Sequence, residues 1–159
     1  MTITSAICNS FKQEILVEGH NFTNGTDAFK LSLYSSDSAT LSKATTAYTA
    51  PADATANPTN TYEVTTTSSG YTAGGNALTS TTPVLSTDTA CCKFANTSWT
   101  SASFTARGCL IYNSTNSNKA VCVVNFGSDK TVTSGTFTIE FPAQTAGNPI
   151  VTGKHTNIC

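Results

Sequence analysis

The sequence predicts a single, mainly β domain: an antiparallel β-sandwich or barrel-like fold with a short N-terminal helix and extended arms. Threonine makes up roughly a fifth of the 159 residues, and Thr, Val, Tyr and Phe favour half-buried pleated surfaces. Short apolar segments alternate with turn signals at close intervals, as in sandwiches and barrels. A chain of this length suits one domain, residues 1–159, with one core.

The N-terminal region is the best helix candidate. The spacing of Ile7, Phe11 and Ile15 predicts a helix over residues 5–18, ended by Gly19. We expect its apolar stripe to dock against its own domain.

The strand candidates begin with residues 28–35, which alternate apolar and polar side chains and so predict a strand with one face in water. The apolar face carries Phe29, Leu31 and Leu33, and the polar face carries Lys30, Ser32 and Tyr34. The further candidates are residues 61–67, 76–86, 88–95, 99–112, 119–126 and 136–141. Between and after them, residues 36–60 are predicted as a long loop and residues 143–159 as an extended C-terminal tail.

The charge content excludes several functional classes. Charged residues make up 11% of the chain, against about 25% in typical soluble domains. The eight Lys and Arg residues are scattered, whereas nucleic-acid binders cluster them against phosphates. No apolar run has membrane-spanning length. The N-terminus lacks the charged start of a secretory signal, so we expect a protein made and used without export, with earlier removal of a leader as the alternative. From the scattered charges and the absence of a long apolar run, we expect neither nucleic acid nor membrane as a partner.

Six cysteines occur in the chain, and a hairpin predicted over residues 106–130 carries two of them. If residues 113–118 form its loop, Cys109 faces Cys122, and a disulfide is possible at a close pair. Reduced thiols in the core are the favoured interpretation, since no export signal is visible. No CxxC is present and the two histidines are far apart, so we expect no metal and no cofactor.

Candidate contact and catalytic residues are few. Trp99 and Arg107 are the best contact candidates because both residue types are enriched in interface hot spots, with core packing as the alternative for Trp99. A nucleophilic cysteine would need a neighbouring base, and His20 and His155 are the only imidazoles. GxSxG is absent, and we expect no enzymatic activity.

Three stretches together resemble a family of small tailed-phage virion structural proteins. They are SFKQEILVEGHNF…DAFKLSLY (residues 10–34), TYEVTTTSSGYTAGGNAL (residues 61–78) and WTSASFTARGCLIYN…KAVCVVNFGSDKTVTSGTFTIEFP (residues 99–142). The resemblance covers most of the chain, apart from the loop and the tail. Cys109 and Cys122 look like a departure from it, at positions where we expect small apolar residues in relatives.

The resemblance implies a capsid decoration, or cement, protein on the outer surface of the virion, made in the host cytoplasm. Its partners would be the major capsid protein and itself, as a homotrimer first and a homodimer next. A tail or head-fibre adhesin for host glycans is the first alternative, with Tyr48, Tyr62 and Tyr71 as contacts. A virion-associated hydrolase is the second alternative, and it requires a polar cluster around His20 or His155. A cell-surface or secreted bacterial domain is the third.

Overall fold

The computed structural model of the chain describes residues 2–35, 39–50, 62–66 and 69–145. Its strands are β1 (Ala6–Ile7), β2 (Phe29–Tyr34), β3 (Asn76–Leu78), β4 (Val84–Ser86), β5 (Thr89–Cys91), β6 (Thr97–Asn113) and β7 (Lys119–Ile139). One α-helix, α1 (Asn9–Glu14), continues into a 3₁₀ turn at Ile15–Val17. The prediction of a mainly β domain with antiparallel strands and a short N-terminal helix is confirmed.

Five of these strands form one antiparallel sheet in the order β1-β7-β6-β2-β3, and β4 pairs with β5 in a separate hairpin. Aromatic side chains from distant parts of the chain form much of the core. Phe22 stacks on Phe29 with ring centroids 4.5 Å apart, and Phe94 lies 5.4 Å from Phe29. These contacts join the segment after α1, the start of β2 and the segment before β6 into one core.

Strand β2 lies between β6 and β3, and both of its faces are covered. The predicted apolar face is buried as expected. Ser32 and Tyr34, predicted to face water, are 0% and 3% exposed, so the prediction of one wet face is wrong. Segments that follow β2 cover this face. Tyr48 stacks on Tyr112 of β6, which pairs with Lys30, and Glu63 forms a bridge with Tyr34.

Strands β6 and β7 form one long hairpin whose two halves have different surroundings. The proximal half, residues 108–113 and 119–125, has β2 on one edge and β1 on the other. In the distal half, residues 97–106 and 130–139, β7 has β6 as its one strand neighbour within the described residues. The candidates at residues 119–126 and 136–141 are therefore parts of a single strand.

The two halves meet at a bend. Residues 126–129 of β7 bulge opposite Arg107 of β6, and Gly127 within the bulge has a φ of 77°. A bulge bends its strand and increases the local twist. The bend brings Phe126 within 6.4 Å of Phe137, and Val124 and Ile139 line the same cavity of about 260 Å³. The distal half thus folds back over one face of the proximal half.

The N-terminal segment departs from its predicted helix. Ala6 and Ile7 pair with β7 at Val123 and Cys122 instead. The first residues of the predicted helix therefore form a short edge strand, and α1 is shorter than predicted. At the C-terminal end of the helical segment, Glu18 has a left-handed backbone conformation, with a φ of 56°.

The remaining sequence predictions have mixed outcomes. The described part of the 36–60 loop is fastened to the hairpin by a bridge between Ala47 and Lys119. Of the 61–67 candidate, residues 62–66 are described and form an isolated bridge between Glu63 and Tyr34 rather than a strand. Candidates 76–86 and 88–95 become the shorter β3, β4 and β5. Residues 146–159 of the predicted tail lie outside the described residues.

Candidate functional site

The hairpin places Cys109 and Cys122 out of register with one another. Cys109 pairs with Val124 and Cys122 pairs with Ile111. The predicted facing pair is wrong for two reasons. Asn113, rather than Tyr112, pairs with Lys119, and the register shifts by one more residue between Ile111 and Tyr112. Both are free cysteines in the structure.

Burial makes these thiols poor nucleophiles. It raises the pKa of Cys109 to about 12 and that of Cys8 to about 12. The pKa of Cys122 is raised by burial first, and then by the nearby Cys109, Cys8 and Cys92. Since the thiolate is the reactive form, thiols with such pKa values stay protonated and inert at neutral pH.

The two predicted contact residues have different positions. Trp99 is 3% exposed and packs against Tyr71, Phe104 and Phe137. It is therefore a core residue, and its prediction as a contact is corrected. Arg107 sits at the bend with part of its side chain exposed, and its Nη1 lies 3.5 Å from Oδ1 of Asp129. Of the two, Arg107 is the one whose side chain reaches the surface.

A polar cluster surrounds His20, as the hydrolase alternative requires. Nε2 of His20 lies 2.8 Å from Oε2 of Glu14, and Nδ1 of His20 lies 3.2 Å from the side-chain nitrogen Nδ2 of Asn113. That nitrogen also donates to Asp27, 2.7 Å away. Lys119 approaches the other oxygen of Glu14 at 3.4 Å.

The hydrogen bonds of Asn113 fix the tautomer of His20. The Asn113 side-chain oxygen accepts from the backbone amides of Thr115 and Asn116. Its amide nitrogen therefore faces His20 and donates to Nδ1, which leaves the proton on Nε2, where it is donated to Glu14. Both ring nitrogens are engaged and the imidazole side chain is 0% exposed. The cluster fastens α1 to the hairpin turn, and it offers a substrate no free ring nitrogen. His155 lies outside the described residues.

A second polar cluster, around Glu63, has no counterpart in the sequence analysis. Glu63 is 0% exposed. Its carboxylate accepts from the hydroxyl of Tyr48 at 3.0 Å, the hydroxyl of Tyr71 at 2.7 Å and the amide of Gly74 at 2.7 Å. Burial raises the pKa of Glu63, and these three hydrogen bonds oppose the rise. Three donors on one buried carboxylate satisfy it as part of the fold.

The Glu63 cluster extends to the central strands of the sheet. The amide of Leu33 donates to the Tyr71 hydroxyl, and the Tyr112 hydroxyl donates to the carbonyl of Gly74. Burial is the larger cause, and the nearby charge of Glu63 the second, of a Tyr71 pKa well above its usual value. The cluster therefore holds three irregular segments against β2 and β6. No sequence motif marks it, since its members are spread along the chain.

The tyrosines predicted as adhesin contacts are mostly interior. Tyr48 is 9% exposed and Tyr71 is 4% exposed, because both donate to Glu63. Tyr62 is half-buried. The predicted contact set of the adhesin alternative is thus wrong for two of its three members.

Exposed apolar side chains occur instead at two short elements. The first, the Ile15–Val17 tip, follows α1, and its Leu16 is 84% exposed. The second, the β4–β5 hairpin, exposes Leu85 by 75% and Val84 by 46%. Large aliphatic side chains with this exposure are candidates for contact with another protein.

Among the described residues, no group of three or more His, Cys, Asp or Glu side chains could hold a metal ion. No helix in the same part of the chain is long and apolar enough to cross a membrane. No family model, curated protein or solved structure matches the chain.

Proposed function

We propose that this protein is a capsid decoration, or cement, protein of a tailed phage. It binds the outer surface of the assembled head and stabilises contacts between neighbouring major capsid subunits. The observation that carries the proposal is the distribution of side chains: polar clusters are closed inside the fold, while aliphatic side chains project from two short elements. That arrangement suits a protein that acts by contact rather than by chemistry. The resemblance of the sequence to phage virion proteins supplies the class of partner.

The Ile15–Val17 tip and the β4–β5 hairpin are the proposed contacts with the shell. Leu16 and Leu85 gain most by burial, because a fully buried Leu side chain contributes about 1.5–3 kcal/mol relative to an exposed one. Arg107 adds a charged contact at the bend. Many copies that bind only the assembled shell stabilise it by mass action.

The test is saturation binding of the purified protein to heads that lack it, with bound copies counted per head. The proposal expects saturation at a number fixed by the symmetry of the shell, and a higher temperature for head disruption. Replacing Leu16 and Leu85 with Ser should weaken binding without unfolding the protein. Binding confined to a few copies, together with binding to host cells, would favour the adhesin alternative.

A further inference from the structure

The distal half of β7 has an edge that no strand of the described residues covers. The N-terminal segment protects β7 only as far as Asn125, whose backbone amide donates to the Ser5 hydroxyl and whose side chain donates to the Ile3 carbonyl. Beyond the bend, residues 130–139 pair with β6 on one side alone within the described chain. An open edge presents backbone N–H and C=O groups, and its natural complement is another strand.

The charges at the two ends of this edge favour antiparallel pairing with the same edge of a second copy. Residues 131–139, TVTSGTFTI, contain no charged side chain, while Lys130 precedes them and Glu140 follows them. Both flanking residues are exposed. Antiparallel pairing of two identical edges brings Lys130 of each copy next to Glu140 of the other copy. Parallel pairing would instead place like charges side by side, which is destabilising.

We propose that two copies of this chain associate through antiparallel pairing of residues 130–140. The pairing is symmetric, with the same surface used by both copies, so it closes as a two-fold dimer. Gly135 lies at the midpoint between the two charges, where the absence of a side chain leaves room at the axis. The inference does not depend on the proposed function, because it concerns only this chain.

A bulge near the midpoint limits the extent of the pairing. Thr133 and Ser134 lie opposite Ser103 of β6, and Ser134 has a φ of 48°. Bulges interrupt an edge and discourage open-ended strand addition. We therefore expect a short, reversible contact, in which Ser134 of each copy lies opposite Thr136 of the other and the charges at both ends set the register.

Sedimentation of the full chain at low salt tests the inference through charge reversal. Lys130→Glu and Glu140→Lys each create two like-charge contacts per dimer, and each should weaken dimerisation about tenfold or more. Both side chains are exposed, so the fold should tolerate the changes. The double variant Lys130→Glu/Glu140→Lys restores opposite charges and should recover the dimer. Lys43→Glu, the same charge change at an exposed position outside the edge, is the matched control.

Dimers in the wild type, loss in both single variants and recovery in the double variant would support the pairing. The pairing would be overturned by a wild type that is monomeric throughout the measured concentrations, by a trimer, or by single variants that behave like Lys43→Glu. A double variant that stays monomeric would also overturn it, since the opposite charges would then not be neighbours.

Discussion

The proximal and distal halves of the β6–β7 hairpin belong to the same two strands but have different neighbours. The proximal half lies inside a five-stranded sheet, with residues such as Leu110 and Val123 1% or less exposed. The distal half buries one face, which carries Trp99 and Phe104. Its other face presents Ser and Thr side chains to water, including the hydroxyl pair of Thr105 and Thr131 at 2.8 Å. The difference indicates that the proximal half is closed on both edges, while the outer edge of distal β7, which no strand of the described residues covers, is available for contact.

The largest difference in stability loss between the two regions is expected for Gly→Ala substitutions. A Cβ on Gly75, whose φ is 73°, would lie 1.7 Å from the carbonyl oxygen of Leu31 in β2. Gly75→Ala must therefore push β2 away, and we expect a loss above about 4 kcal/mol or failure to fold. Soluble yield and urea unfolding would measure the loss.

Gly127→Ala is the matched control at the bend. Gly127 has a φ of 77° but no atom within 4 Å of the added Cβ, so only backbone strain of about 1–2 kcal/mol is expected. Equal losses of unfolding free energy in the two variants would contradict the conclusion that the backbone is closely packed at Gly75 and open at Gly127.

Truncation of apolar side chains should show the next largest contrast. Leu110→Ala removes a fully buried side chain of the proximal half, and we expect a loss of about 2–5 kcal/mol. Val132→Ala in the distal half removes a half-buried side chain and should cost about 1 kcal/mol or less. Urea unfolding of both variants gives the comparison, and a reversed order would place the stability in the distal half.

The Glu63 cluster should give the proximal half a pH-dependent stability. Burial raises the pKa of Glu63 above its ordinary value of 4.5, so the folded chain holds this proton more tightly than the unfolded chain does. The contribution of Glu63 to the unfolding free energy is greatest below pH 4.5 and falls as pH rises through the folded pKa. Glu63→Gln should remove that slope in chemical unfolding measured across pH. An unchanged slope would mean that other groups cause it.

The smallest effect is expected at the distal hydroxyl pair. Thr131→Val removes an exposed hydroxyl while keeping the branched shape, and the unfolding free energy should change by no more than about 0.5 kcal/mol. Thermal unfolding provides the measurement. A larger loss would show that the distal half contributes more to stability than its exposure indicates.

The sequence predicts the elements better than it predicts their surroundings. The alternation in residues 28–35 correctly gives a strand and one buried face, because periodicity is a local property. It gives the wrong environment for Ser32 and Tyr34, since the rings that cover them come from elsewhere in the chain. Trp99 fails as a contact for the same reason.

The strand register of the β6–β7 hairpin and the buried polar clusters could not be predicted from the sequence. The position of Cys109 opposite Val124 depends on a register shift next to Ile111, and no residue type marks that shift. The Glu63 cluster depends on loops that place Tyr48 and Tyr71 on one carboxylate. The bend at residues 126–129 had a local signal, because the turn-forming residues GSD directly follow the predicted strand 119–126.

Amide hydrogen exchange along β7, at low and high protein concentration, tests most directly whether the proximal half is scaffold and the distal half is contact surface. We predict that amides of residues 120–125 exchange slowly at both concentrations. Amides of residues 130–139 that face away from β6 should exchange quickly in dilute protein and become protected as concentration rises. Uniform protection along the whole strand in dilute protein, or no gain in residues 130–139 at high concentration, would contradict the account.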